Sequence, residues 1–554
     1  AFDGCAIRSL SLPASLVTLG TEAFRDNAEL AGLTFAEDGN LTAIGDYAFY
    51  GCYRFTTLTI PAYIETIGDY AFYGSTSSSK LEQVIFEKGS RLTTIGARAF
   101  QNNKALETIG EAVVGADGET QYVLPASITE IGDNAFYSCA GLQYLLFAED
   151  TSLTTLGNSV FYGCSSLEEI VIPNSVSSIG TGLFGSCTSL ETIVLPSSLS
   201  EIPNNTFQTT KSLTTLTYHG SLRANPVELP GSVVKIGNNA FQTSAITNIV
   251  IPASVTEIGN YTFNNSSVAS VTFEGTSLSS LGTYAFKGCK DLVSINLPEG
   301  LTELGKEVFI NCTSLTEIVL PSTLRTIGES AFEGCENLVE AELLPGITSI
   351  GESAFSGCTK LESVTIRATL AEIGANAFAN CPNLSFEIDE QNTSFVIENG
   401  IMYDAMQTEI VSIVSLPEGA VDIPDTVSSI PAGAFAGSLM TSITLPESIT
   451  EIGNGMFENC VNLEEVVLKG RVTSIGARAF QNCTALKSFE VGRYVESIGA
   501  NAFENCTSLE TLTFESNGVT DLQISTYAFA NCTSLGSVTF PYRLRNSGSN
   551  MGVG

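Results

Sequence analysis

A 23-residue period runs through this sequence and constrains its fold more than any other feature. Twenty-one phenylalanines, from Phe2 to Phe529, occupy the same point of a repeated segment. The most regular stretch spaces them 23 residues apart at Phe263, Phe286, Phe309, Phe332, Phe355 and Phe378. Such a period is typical of a solenoid, in which each coil contacts only its neighbours. It predicts about 20 coils in one continuous domain over residues 1–541, then a fraying coil or linker over residues 542–554.

Residues 315–335 show how one repeat folds locally. Ile318 and Leu320 lie two residues apart, which predicts a short strand with one buried face. Pro321 ends that strand because proline has no N–H to donate to a neighbouring strand. Residues 328–332 follow with a helical spacing of apolar groups. The repeat therefore predicts a strand on one side of each coil and a short helical turn on the other.

The glycine that opens the second half of the coil gives this helical turn its starting point. Gly328 holds the position in residues 315–335, and Pro203, Pro431 and Ser525 replace it in other repeats. Proline fixes φ near −65°, so the position does not require a positive φ. A position that accepts both Gly and Pro suits the first residue of a helix. We expect a one-turn helix, α or 3₁₀, that carries Phe332 opposite the strand.

All fourteen cysteines lie three residues after one of the repeated phenylalanines, as at Cys289, Cys312, Cys335, Cys358 and Cys381. Side chains stacked on successive coils, about 4.8 Å apart, point the same way rather than at each other, which does not suit a disulfide. The chain also has no C-x-x-C pair of the kind that binds zinc. The spacing predicts free, buried thiols in a structural ladder, although an extracellular protein would ordinarily favour disulfides.

Charge excludes some classes of partner. The chain has 24 Lys and Arg against 59 Asp and Glu, a net charge of −35. Such a field repels phosphate backbones and anionic membrane surfaces, so we expect no nucleic-acid partner. The alternative role of the charge is to keep a long, apolar-rich protein in solution. No apolar run approaches the roughly 18 residues needed to span a bilayer, and we expect no membrane insertion.

Two long gaps between phenylalanines contain turn signals. An Asp-Gly pair between apolar runs predicts a hairpin insertion near residues 110–124. Asn399 and Gly400, also between apolar runs, predict a second hairpin near residues 386–416, next to a divergent coil that lacks the Ala-Phe pair. Insertions in repeat proteins often emerge on a binding face, which makes Asn399 and Gly400 candidate binding residues. Neutral drift of a loop is the alternative.

The pattern L-x-x-I-x-L-P-x-x-L-x-x-I-G-x-x-A-F-x-x-C, which covers nearly the whole chain, resembles the BspA-like, or Treponema pallidum-type, leucine-rich repeats. The resemblance implies a β-rich, right-handed superhelix with a parallel sheet on its concave face. It also implies a protein displayed on or released from a microbial cell, often for adhesion to host matrix proteins, host cells or other microbes. The family has no catalytic residues to carry over and implies no cofactor.

A cluster of tyrosines is the strongest local departure from the repeat. Tyr47 and Tyr70 share one repeat position on successive coils, and Tyr50 and Tyr73 share another. Stacked and exposed, these four tyrosines would form an adhesive ridge. Packed along the flank of the phenylalanine column, they would be structural, as amphipathic tyrosines often are. Both interpretations stay open at this stage.

The function predicted from these features is non-enzymatic binding at the cell surface or outside the cell. The expected partner is a protein or glycoprotein of host or other microbial cells, bound by an extended curved surface. A spacer that presents another domain is the alternative. His219 is the sole histidine and has no identifiable nucleophile partner, so we interpret it as an exposed loop residue rather than a catalytic one. An enzyme is disfavoured, and no metal site is expected.

Overall fold

The computed structural model of the protein describes residues 1–74, 79–115, 118–221, 227–413, 416–515 and 522–540. It is a parallel β-solenoid of about 22 turns, as the repeat predicts. The chain divides into two compact units, Ala1–Leu315 and Thr316–Gly554. The predicted fraying coil over residues 542–554 lies outside the described residues, and a single continuous domain stays a prediction.

Most coils contribute one longer strand, which precedes the proline, and one two-residue strand, which precedes the glycine. The strands of the first unit are β1 Ser9–Leu12, β2 Gly32–Phe35, β3 Ala43–Ile44, β4 Thr57–Ile60, β5 Thr66–Ile67, β6 Gln83–Phe86, β7 Thr94–Ile95, β8 Thr108–Val114, β9 Thr120–Leu124, β10 Glu130–Ile131, β11 Leu146–Phe147, β12 Thr155–Leu156, β13 Glu169–Val171, β14 Ser178–Ile179, β15 Thr192–Leu195, β16 Glu201–Ile202, β17 Thr215–Tyr218, β18 Val227–Glu228, β19 Lys235–Ile236, β20 Asn248–Ile251, β21 Glu257–Ile258, β22 Ser270–Phe273, β23 Ser280–Leu281, β24 Ser294–Asn296 and β25 Glu303–Leu304.

The second unit repeats this alternation and adds three antiparallel strands. Its strands are β26 Glu317–Val319, β27 Thr326–Ile327, β28 Glu340–Ala341, β29 Ser349–Ile350, β30 Ser363–Ile366, β31 Glu372–Ile373, β32 Ser385–Ile388, β33 Phe395–Glu398, β34 Ile401–Asp404, β35 Ile410–Ile413, β36 Glu418–Asp422, β37 Leu439–Leu445, β38 Glu451–Ile452, β39 Glu465–Leu468, β40 Ser474–Ile475, β41 Ser488–Val491, β42 Ser497–Ile498, β43 Thr511–Phe514 and β44 Gln523–Ile524.

Parallel pairing in register carries each buried position into a continuous row. Strand β15 lies between β13 and β17, and its Ile193 is opposite Ile170 on one side and Leu216 on the other. All three side chains are buried. Paired residues of a parallel sheet point to the same face, so the hydrophobic positions of successive coils fill one core. The period-two pattern of the sequence thus fixes which face of each strand is inside.

The repeated phenylalanines form a stacked column through the core of each unit. From Phe2 to Phe309, each ring stacks on the next with centroids 5.0–6.0 Å apart. In the second unit, rings stack from Phe332 to Phe378 and again from Phe435 to Phe529. Offset-stacked aromatic pairs are favourable beyond the area they bury. The structure thereby places Phe263, Phe286, Phe309, Phe332, Phe355 and Phe378 in the predicted column.

The predicted one-turn helices are wrong: the described residues contain no helix. The segment from the glycine to the cysteine position, here called the turn segment, has residues of positive φ at its third and seventh positions in nearly every coil, with Gly74 as an exception at the seventh. Ser353 (φ 54°) and Gly357 (φ 75°) are examples. Alternate N–H groups of the turn segment donate to carbonyls of the next coil. The Phe355 N–H, for example, donates to the Ala377 carbonyl at 2.7 Å. A right-handed helix needs negative φ throughout, so hydrogen bonding between coils replaces it.

Close approach of the coils explains the repeated glycine. Gly68 has no positive φ, in agreement with the sequence prediction. A Cβ atom there would lie 2.8 Å from the Asp46 backbone nitrogen and 2.9 Å from the Gly45 carbonyl carbon, both in the preceding coil. Real Cβ atoms do not come this close to backbone, so Gly68 has no room for a side chain. Its role is contact between coils, rather than the start of a helix.

Antiparallel pairs occur at both predicted insertions. Strands β8 and β9 pair antiparallel, and residues 116–117 between them lie outside the described part of the chain. Strands β33 and β34 also pair antiparallel, and the residues between them, Asn399 and Gly400, have φ of 51° and 78°. Two successive positive φ angles are characteristic of a type I′ turn. Strand β35 then pairs antiparallel with β34.

Candidate functional site

Four tyrosines of the first unit form a compact aromatic group, here called the tyrosine block: Tyr47, Tyr50, Tyr70 and Tyr73. Tyr47 stacks on Tyr70 with ring centroids 4.5 Å apart, and Tyr50 stacks on Tyr73 at 5.0 Å. The two pairs also contact each other, at 5.8 Å within one coil and 5.6 Å within the next. Every member is half-buried. The turn segments hold these rings beside the phenylalanine column, so the block is both packed and partly open to solvent.

Two arginines cover opposite ends of the tyrosine block. The Arg25 guanidinium lies 5.4 Å from the ring centroid of Tyr50, and that of Arg98 lies 5.1 Å from the centroid of Tyr70. Arg98 also donates a hydrogen bond to the Tyr70 hydroxyl. Cation–π contacts of this kind fix the arginine planes against the rings. The result is a rigid surface of aromatic and guanidinium groups.

Hydrogen bonding and partial burial restrain the block further. The Asn102 side-chain amide donates to the Tyr73 hydroxyl at 2.8 Å. Partial desolvation raises the pKa of Tyr73, and it also raises that of Tyr47. Both phenols therefore stay neutral at physiological pH. Neutral phenols can donate as well as accept hydrogen bonds at an interface.

A second tyrosine pair escaped the sequence interpretation. Tyr261 stacks on Tyr284 with centroids 4.5 Å apart, and the Lys287 ammonium lies 4.6 Å from the Tyr284 ring centroid. The Tyr284 hydroxyl donates to the Glu307 carboxylate at 3.0 Å. Tyr261 and Tyr284 occupy the same repeat position as Tyr47 and Tyr70. Comparing that one position across all repeats would have revealed the pair.

Asn399 and Gly400 form the tip of the β33–β34 hairpin in the second unit, whereas the tyrosine block belongs to the first. Asn399 is exposed and Gly400 is half-buried. Both residues have the positive φ that the turn requires. Their backbone role is clear from the geometry, and a binding role stays a prediction.

The cysteines form a ladder of buried thiols that donate to backbone carbonyls. All fourteen are free, and twelve are buried, including Cys289, Cys312, Cys335, Cys358 and Cys381. Cys358, for example, donates from Sγ to the Phe332 carbonyl oxygen of the preceding coil at 3.2 Å. Burial raises the pKa of Cys381 to about 12. A reactive cysteine needs a lowered pKa, so these thiols are suited to packing rather than nucleophilic chemistry.

His219 is half-buried, which corrects the expectation of an exposed loop histidine. One ring nitrogen lies 2.8 Å from the carbonyl oxygen of Ile172, so the imidazole is attached to the backbone of another coil. Across the described ranges, no group of three or more His, Cys, Asp or Glu side chains is arranged to hold a metal ion. The same ranges contain no helix whose length and apolar character would let it cross a membrane.

Parallel sheets, a stacked phenylalanine column and a 23-residue repeat together define a leucine-rich repeat solenoid. The sequence profile described as BspA type Leucine rich repeat region matches in six copies, over residues 1–112, 118–224, 221–339, 263–385, 419–535 and 519–551. The chain belongs to this family. The resemblance seen in the sequence is therefore confirmed.

Several solved structures are similar to this chain to different degrees. A leucine-rich repeat protein from Bacteroides ovatus ATCC 8483 is 28% identical with a TM-score of 0.53, over 64% of this chain and 88% of that one. A leucine rich cell surface protein from Faecalibacterium prausnitzii A2-165 is 25% identical with a TM-score of 0.37, over 60% and 88% respectively. The pneumococcal vaccine antigen PcpA is 17% identical with a TM-score of 0.39, over 77% and 93%. No curated protein matches the chain.

Proposed function

We propose that this chain is a non-enzymatic binding protein of the cell surface or the extracellular space, and that the tyrosine block contacts its partner. The partner is a protein or glycoprotein of a host or of another microbial cell. Membership of the BspA-type family supports an interaction role. The tyrosine block is the observation that carries the proposal, since it gathers the residue types that dominate protein-binding surfaces.

Tyrosine and arginine are enriched among the residues that contribute most to protein interfaces. Tyrosine buries a large area on binding and loses little conformational freedom, because it has only two side-chain torsions. In the tyrosine block, the conformational freedom lost on binding is smaller still. Tyr47 and Tyr70 already stack on each other, and Arg25 and Arg98 already lie on tyrosine rings. A surface that is rigid before binding spends less of its interaction energy on ordering.

The buried thiols support the non-enzymatic part of the proposal. Burial raises the pKa of Cys52, Cys164, Cys381 and Cys460 to about 12, opposite to the shift that activates a nucleophile. The ring of His219 is engaged by a backbone carbonyl. Neither kind of group therefore presents the nucleophile and base pair that covalent catalysis requires.

The test measures binding of the immobilised chain to purified extracellular-matrix glycoproteins. The double variant Tyr50→Ala/Tyr73→Ala should lower the affinity at least tenfold. Its matched control is Tyr137→Ala/Tyr162→Ala, a stacked pair in the same repeat position whose centroids are also 5.0 Å apart. The control should bind as the unmodified chain does. An absence of saturable binding would favour the spacer alternative. An equal loss of affinity in both double variants would show that the tyrosine block does not contact the partner.

A further inference from the structure

Hydrogen bonds between turn segments form a regular ladder in the second unit. In the turn segment at residues 351–358, the N–H groups of Ser353, Phe355 and Gly357 donate to carbonyls of the next coil at 3.0, 2.7 and 2.8 Å respectively. The N–H groups at positions 3, 5 and 7 of this turn segment thus donate to the next coil. The carbonyls at positions 2, 4 and 6 of that next turn segment accept these hydrogen bonds. Backbone groups removed from water need such partners.

This ladder stops between residues 374–381 and residues 431–438, a place here called the spine gap. Among the described residues, the N–H groups of Phe378 and Asn380 have no hydrogen-bond partner. Across the gap, the carbonyls of Ala434 and Ala436 also accept no hydrogen bond from the described residues. One edge therefore offers donors and the other offers acceptors. They occupy the positions that a missing turn segment would pair with.

The phenylalanine column stops at the same place. Phe378 makes an edge contact with Phe386 at 5.1 Å and 83°, whereas Phe435 stacks on Phe457 at 5.7 Å. Ala434 is half-buried, although the alanine at the equivalent position of an intact coil, Ala354, is fully buried. Phe378 and Phe435 are nonetheless both buried, so other side chains cover the two ends of the column and the opening lies along the turn segments.

Only the turn side of the solenoid is left open here. On the sheet side the insertion takes the place of a coil, because the Ile410 N–H donates to the Ser429 carbonyl at 3.2 Å. At the rim of the gap, the Asn376 side-chain amide reaches the Ala432 carbonyl at 3.1 Å, where an intact ladder uses a backbone N–H. The inserted strands thus keep the two edges together, and their Ile401, Tyr403 and Ile410 join the core that contains Phe435. Among the described residues, the backbone edges of the two turn segments are left unpaired.

The spine gap encloses a cavity of about 510 Å³, within the range of ligand sites. Its lining combines Phe378 and Ile413 with small residues such as Ala379 and Gly433. Ser412 also lines it, only 4% exposed, and its hydroxyl has no hydrogen-bond partner. A buried hydroxyl without a partner is costly, and it gives an occupant one further polar contact.

We propose that the spine gap binds an extended peptide that carries a small residue followed by an aromatic one. The peptide's carbonyls accept from the N–H groups of Phe378 and Asn380, and its own N–H groups donate to Ala434 and Ala436. Its aromatic ring packs on the cavity lining beside Ile413 and Ala434. This main-chain pairing resembles strand addition to a sheet edge, in which backbone bonds give affinity and side-chain pockets give specificity. The site lies apart from the tyrosine block and does not depend on the proposed function.

A peptide with the sequence of residues 327–334, Ile-Gly-Glu-Ser-Ala-Phe-Glu-Gly, is the probe. It copies an intact turn segment, so it should bind the full chain saturably in a fluorescence anisotropy titration. Replacing its phenylalanine by alanine should weaken binding at least tenfold. Methylating the phenylalanine nitrogen, which removes one main-chain donor, should do the same. If the methylated peptide bound as tightly as the parent peptide, the main-chain pairing would be wrong. If the parent peptide showed no saturable binding, the spine gap would not be a peptide site.

A protein variant tests the location. Ala436→Trp fills the gap from its lining, at a repeat position where Tyr50 and Tyr162 show that an aromatic side chain is accommodated. It should weaken peptide binding at least tenfold. Ala530→Trp is the matched control, because Ala530 occupies the same repeat position and is likewise half-buried. It should bind as the unmodified chain does. Equal binding by both variants would place the peptide elsewhere, and the peptide series on the unmodified chain decides the question if Ala436→Trp misfolds.

Discussion

The Sγ atom of Cys164 lies 3.2 Å from the carbonyl oxygen of Phe136 in the preceding coil. The thiol donates to that oxygen, so it joins the cysteine and phenylalanine columns at this coil. Asn103, at the same repeat position, donates to the Phe72 carbonyl at 2.8 Å. The position therefore suits a small polar side chain, which reaches back by one coil in Cys164 and Asn103 and donates within its own coil in Thr210. This explains why asparagine can replace cysteine there.

Removing the Cys164 thiol should destabilise the solenoid by a modest amount. Cys164→Ala deletes the hydrogen bond to Phe136 and leaves a small cavity, and it should lower the free energy of unfolding by about 1–2 kcal/mol. Cys164→Asn restores a donor and should lose less. Urea titration followed by circular dichroism measures both. Cys5→Ala, at an exposed cysteine, should leave the stability unchanged, and a loss there equal to that of Cys164→Ala would contradict the ladder's role.

Alkaline pH should unfold the protein through these thiols. Burial raises the pKa of Cys164 from 9.0 to about 12. The folded state therefore retains a proton that the unfolded state releases, so the stability contribution is complete below pH 9 and declines as pH rises toward 12. For each such thiol, the free energy of unfolding falls by about 1.4 kcal/mol per pH unit in this window. Urea midpoints measured from pH 8 to 11 should fall less steeply for Cys164→Asn, and parallel curves would argue against the thiol as the cause.

The period of the sequence was sufficient to predict the solenoid and its phenylalanine column. Phe263 and Phe286 are one 23-residue period apart, so their rings lie at the same point of successive coils. Because neighbouring coils are separated by about the distance between two strands, the rings then stack on each other. The Asn399-Gly400 pair was equally informative, because a turn with two positive φ angles has few compatible residue pairs. These features depend on local chemistry or on strict repetition, and both are visible in a single sequence.

The turn segments were not predictable in the same way. The apolar spacing around Ala331 and Phe332 matches one turn of a helix, but the N–H groups there bond to the neighbouring coil instead. Periodicity describes which side chains are buried and contains no information about backbone bonds between coils. The spine gap escaped prediction for a related reason. The missing Ala-Phe pair was visible, but the backbone groups of Phe378 and Ala434 that find no partner among the described residues depend on how the insertion separates two coils.

Adding one methyl group at Gly68 should separate two coils. The Cβ of Gly68→Ala would meet the backbone of Gly45 and Asp46 at less than 3.0 Å. We expect a loss of about 1–3 kcal/mol, as for other overpacked positions, measured by urea titration. Gly20→Ala is a matched control, because Gly20 holds the same repeat position but would have no atom within 4 Å of the new Cβ. A similar loss at Gly20 would mean that backbone freedom, rather than contact between coils, explains the glycine.

Substitution of Gly400 should loosen the β33–β34 hairpin locally. Gly400 has a φ of 78°, where a residue with a Cβ is strained by about 1–2 kcal/mol. In Gly400→Ala, amide hydrogen exchange across residues 395–404 should accelerate by about tenfold, which corresponds to about 1.4 kcal/mol. Asn399→Asp keeps a side chain that tolerates positive φ and serves as the control. Unchanged exchange in Gly400→Ala would show that β35, which pairs with β34, holds the hairpin in place without the turn.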